Sequence, residues 1–145
     1  MKYEQKELVR VSFAALAQES DTVAALFYTR LFELDPALRS LFHSSMKHQG
    51  QKFMGMLQTI VESMEHLDHV VTVVWQLGKH HGGFGVRETD YATVRTALFW
   101  AFEQHLGDRF TPDTALAWAE VYDVLETTML HATREGPSPD SGRPF

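Results

Sequence analysis

Apolar side chains recur every third or fourth position along almost the whole chain, and no segment sustains apolar/polar alternation, so the pattern predicts α-helices and no sheet. Breakers and caps divide the periodic stretches into helices at roughly 3–18, 22–35, 48–65, 68–81, 88–106 and 112–133, with a short turn at 36–42. Three starts carry local signals: Ser20-Asp21-Thr22 offers side-chain acceptors, and Asp35-Pro36 and Thr111-Pro112 each place a capping residue ahead of a proline at the first helical position. Gly82-Gly83-Phe84-Gly85 and Leu106-Gly107 end two helices with residues free to take positive φ. Three of the five prolines fall in the closing run EGPSPDSGRPF, which lacks the apolar content to pack. The expectation is one domain over 1–135 and a disordered tail over 136–145, with no internal repeat.

The phase of two neighbouring helices is informative. At 100° per residue Phe53, Met56, Leu57, Ile60, Val61 and Met64 form one apolar stripe; Gln49 lies on it, and His48 points more than about 100° away. In the next helix Val70, Val74 and Leu77 define the stripe, His81 falls within about 20° of its centre, and His80 lies roughly 90° off. Tyr28 shares the inward side of its helix with Ala24, Phe27 and Leu31. A lone histidine on an apolar face is more often a satisfied core residue than a ligand. Three polar groups converging on one apolar interior must either bond one another or surround a polar or metal-bearing ligand.

Composition narrows the chemistry. At 145 residues, with 44% apolar and 22% charged residues, the chain has the make-up of an ordinary globular domain. A net charge of -6 is the wrong sign for neutralising nucleic-acid phosphates. The absence of cysteine removes disulfides, thiolate metal sites, iron–sulfur clusters, thiol nucleophiles and thioether-linked haem, so a metal would be held by His, carboxylate, Met or Tyr. The charged N-terminus and the lack of any long apolar run predict a soluble cytoplasmic protein with no membrane partner. His66 and His69 have helical metal spacing, but beside Glu65 and Asp68 they are read as a solvated cluster. No hydrolase, metalloprotease, P-loop or complete dinucleotide motif occurs, and Trp75, Trp100 and Trp118 are assigned to packing between helices. A four-helix cytochrome using Met54, Met56 or Met64 would need fewer helices than the prolines mark out.

Four runs, LFYTRLFELDPALRSLF, HSSMKHQGQKF, LGKHHGGFGVRETDY and LGDRFTPDTALAWAEVYDVL, carry a corner from Pro36 to Phe42, a 32-residue separation of Gln49 from His81, and His81 followed by Gly85-Val86 and Tyr91. Over about residues 4–132 the chain resembles the globin family, most closely the bacterial single-domain haemoglobins related to the globin domain of flavohaemoglobins. The resemblance implies a three-over-three helical sandwich around haem b. It makes His81 the iron ligand, Phe42 the aromatic that wedges the haem, and Tyr28 and Gln49 the distal pair. It places Phe53, Leu57, Leu77, Phe84, Val86, Tyr91, Val94 and Leu98 around the porphyrin, and offers Lys52 to a propionate, with a solvated lysine as the equal alternative. His48 and His80 share the 32-residue spacing, but both leave the apolar stripes. Thr133 stands where flavohaemoglobin-type globins have a glutamate behind the proximal histidine.

The function this implies is tight, reversible binding of dioxygen and other diatomic gases at ferrous iron, supporting conversion of nitric oxide to nitrate. With no room for flavin and nicotinamide domains in the chain, a separate reductase is the implied partner. The alternatives are an oxygen storage, delivery or sensing protein without turnover, and an all-α protein with no cofactor.

Overall fold

The computed structural model describes residues 2–42, 45–64 and 88–134, and these contain helices and turns but no strand. Helix α1 spans Tyr3–Ala17, α2 Ser20–Leu34, α3 Met46–Glu62, α4 Glu88–Leu106 and α5 Pro112–Arg134. Short 3-10 turns occupy Pro36–Leu41 and Gly107–Arg109. The expected helix at 68–81 and the expected tail lie outside the described residues, as do Leu77, His81, Phe84 and Val86.

Two of the three expected caps form. Asp35 accepts from the Ala37 amide at 3.1 Å, and the Thr111 hydroxyl accepts from the Thr114 amide at 3.2 Å, each just ahead of its proline. The cap expected within Ser20–Thr22 does not: α2 is entered earlier, with Glu19 as the cap residue and no side-chain cap bond. The reason is the tightness of the link, because the Glu19 amide already donates to the Leu16 carbonyl and leaves only two residues between the helices. Ser20 and Asp21 are therefore helical, and Asp21 still favours the first turn through its charge. Helix α3 also starts earlier than expected, because Ser45 caps it by accepting from the His48 amide at 3.2 Å. Gly107 ends α4 at φ +56°, a conformation that glycine takes without steric cost.

Helix α2 is the hub, packed chiefly against α4 and α3, while α1 lies on α5. Along the α1–α5 seam the buried Trp118 indole donates to the Ser12 hydroxyl at 2.8 Å, and that hydroxyl donates onward to the Leu8 carbonyl at 2.6 Å. Phe102 and Phe13 flank the indole, with ring centroids 4.8 and 6.3 Å away. Between α4 and α5 the Tyr122 hydroxyl donates to the Tyr91 carbonyl at 2.5 Å, and Arg95 pairs with Asp123 at 3.1 Å while lying over the rings of Phe99 and Tyr122. No helix among the described residues is long and apolar enough to cross a membrane.

Candidate functional site

An apolar cleft opens inside the helices, bounded by α2, the 36–42 corner, α3, α4 and α5. It encloses about 700 Å³ outside the protein atoms, part of it open to solvent. Phe42, Phe53, Leu57, Tyr91, Val94 and Leu98 all line it. Phe53 and Leu57 are buried on one face of α3, and Tyr91 and Leu98 are buried on α4, with Val94 half-buried between them. Phe42 closes the corner end, its ring edge-on to Tyr28 at 5.4 Å.

Tyr28 and Gln49 meet where α2 crosses α3; neither lines the cleft itself, and Tyr28 also borders a second depression with Ala24 and Gly50. The Tyr28 ring packs against Phe27, Phe42 and Phe53, so its position is fixed by aromatic neighbours. Its hydroxyl donates to the main-chain carbonyl of Gln49 at 3.4 Å, long for an O–H donor. Burial pushes the hydroxyl well above its ordinary pKa, so it stays protonated and able to donate. Gln49 is 1% exposed, one helical turn before Phe53, and its side-chain oxygen Oε1 is buried with no hydrogen-bond partner among the described residues. A buried amide oxygen left unpaired costs free energy, which a donor arriving from outside the chain would recover.

Other sequence-derived candidates fall elsewhere. His48 is exposed, in keeping with its phase, and Lys52 is exposed and outside the cleft lining. Conversely, sequence reasoning missed an entire wall. Trp118, Val121, Tyr122 and Leu125 of α5 line the cleft, as do Phe27, Leu31, Met56 and Phe99. The α5 residues have the spacing of any buried helical face, so periodicity marks them as core and says nothing of a cavity. Trp118 does pack between helices, and its other side faces the cleft.

The residues present suit a flat apolar group: the walls are aromatic and aliphatic, Tyr91 and Tyr122 are the lining residues that carry a hydroxyl, and Tyr28 packs on Phe42 and Phe53 of the wall. Comparisons with known proteins point the same way. A Globin family model matches residues 25–129. The chain is 30% identical to Neuroglobin-1 of Oncorhynchus mykiss, over 86% of this chain and 87% of that protein. It is 24% identical to the flavohemoprotein of Halalkalibacterium halodurans over 93% of this chain, and it spans about a third (34%) of that protein's length. Among solved structures, an engineered carbene transferase derived from a candidate nitric oxide dioxygenase of Rhodothermus marinus superposes with a TM-score of 0.82 at 27% identity, covering 93% of this chain and 94% of the other.

Proposed function

The chain belongs to the globin family and has the globin fold, and from that premise we propose that it binds haem b in the apolar cleft through His81, takes up dioxygen there, and converts nitric oxide to nitrate with electrons from a separate reductase. The observation that supports this reading above others is the buried, protonated Tyr28 hydroxyl, meeting the buried Gln49 at the α2–α3 crossing, with the Tyr28 ring packed on Phe42 and Phe53 of an apolar cleft.

A haem held in the cleft through His81 would supply ferrous iron able to take up a diatomic gas. The chain's own residues then divide the work. Phe42, Phe53, Leu57, Tyr91, Val94 and Leu98 would hold the porphyrin by apolar contact, and the family resemblance adds Leu77, Phe84 and Val86 to the residues around it. Lys52, exposed on α3, is free to meet a propionate in solvent. Tyr28 and the Gln49 amide donate to a ligand that gathers negative charge, as dioxygen does and carbon monoxide does not. The net reaction joins one nitric oxide, one dioxygen and one electron into nitrate. The electron comes from a reductase, whose approach a net charge of -6 would steer through a basic patch.

Absorbance of the purified, haem-reconstituted protein tests the first half: a Soret band is expected, lost in His81→Ala and kept in His80→Ala. Loss in the second variant alone would move the axial ligand by one residue, and no band in the parent would remove the haem reading. Nitrate yield from nitric oxide, with dioxygen and an added flavin reductase, tests the second half. Reversible oxygen uptake with no nitrate formed would leave an oxygen carrier or store.

A further inference from the structure

Gly50 follows Gln49 on α3 and is buried against α2. A Cβ added to it would stand 2.9 Å from the Cβ of Ala24, closer than carbon atoms tolerate, and both atoms would be fixed to helical backbone and unable to swing aside. The missing side chain therefore sets how near α3 comes to α2. Ala24 and Tyr28 are one turn apart on α2, and Gly50 adjoins Gln49, so the tight contact and the 3.4 Å bond from the Tyr28 hydroxyl to the Gln49 carbonyl belong to the same helix crossing. That hydroxyl has one proton to give, and its acceptor is a main-chain carbonyl that cannot rotate away.

We propose that Gly50 is a positioning residue: it fixes the helix spacing at which the Gln49 carbonyl holds the Tyr28 proton, so that this carbonyl competes with a polar gas for the donor and sets the discrimination between oxygen and carbon monoxide. The proposal rests on the haem reading above. It assigns to the backbone of α3 an effect on affinity that the side chains alone would not produce.

The test is the ratio of oxygen to carbon monoxide affinity in the haem-loaded protein. Gly50→Ala pushes the helices apart, releases the hydroxyl from the carbonyl, and raises the ratio about 2- to 5-fold, the worth of one long hydrogen bond. Placed in a Tyr28→Phe background the same substitution leaves the ratio unchanged, and adding Ala24→Gly to Gly50→Ala returns it toward the parent. Ala24→Gly alone, which crowds nothing, lets the helices close and lowers the ratio. In the haem-free chain, the 13C signal of the Tyr28 ring carbon bearing the hydroxyl, assigned by its loss in Tyr28→Phe, shifts in Gly50→Ala and returns in the double variant. An unchanged ratio in both single variants, a rise that survives Tyr28→Phe, or a double variant that fails to revert overturns the role of Gly50. A parent chain without a Soret band overturns the haem reading instead, and the two failures are told apart by the spectrum.

Discussion

The seam between α1 and α5 and the crossing of α2 with α3 bury similar polar groups and treat them in opposite ways. At the seam every donor is met: the Trp118 indole finds the Ser12 hydroxyl at 2.8 Å, and the hydroxyl finds the Leu8 carbonyl at 2.6 Å. At the crossing the Tyr28 hydroxyl reaches a carbonyl only at 3.4 Å, and the Gln49 side-chain oxygen has no partner among the described residues. Since an unpaired buried polar atom costs about 1–3 kcal/mol, polarity at the seam serves the fold, and polarity at the crossing is held at the expense of the fold. The difference sets the Tyr28–Gln49 crossing apart from the seam within one aromatic and aliphatic core.

Four substitutions press on that contrast. Trp118→Ala removes the largest buried side chain of the seam and should cost about 3–5 kcal/mol in urea unfolding; a loss well under 2 kcal/mol would mean that the seam is not structural in the sense argued. Tyr28→Phe belongs to the other region and should speed oxygen release about 10- to 150-fold while carbon monoxide release stays put, which stopped-flow exchange of the two gases will show. Because burial raises the Tyr28 pKa, oxygen release in the parent should also be flat with pH up to about 10, the ordinary tyrosine value. Ser12→Ala strands the indole N–H and should destabilise by about 1–2 kcal/mol without touching gas kinetics. Gln49→Leu should move stability of the haem-free chain the other way, by up to about 1 kcal/mol, and accelerate oxygen release less than Tyr28→Phe does. Equal signs for Ser12→Ala and Gln49→Leu in denaturant titrations would erase the distinction between the two regions.

Much of the fold was legible because its signals are local. Asp35-Pro36, Thr111-Pro112 and Leu106-Gly107 fix boundaries by cap and proline chemistry that acts within a few residues. The start of α2 was misplaced because a run of three capping residues cannot say which turn the chain enters by; the short link through Glu19 decided it. At the site, phase brought Tyr28 and Gln49 to the interior, since burial follows from 100° periodicity. The cleft's α5 wall was not legible, because Val121, Tyr122 and Leu125 differ from ordinary core residues only in what lies opposite them. Nor could sequence show that the Tyr28 proton rests on a main-chain carbonyl, an acceptor that every residue carries and no pattern marks.

The bonds joining α4 to α5 bear on how a cofactor would arrive. Tyr122 is tied to the Tyr91 carbonyl, and Arg95 is clasped between Asp123 and two aromatic rings, so this wall is assembled from the chain alone. The buried, bonded Tyr122 side chain gives up its rotamer freedom on folding. A flat apolar guest would meet a preorganised face on that side.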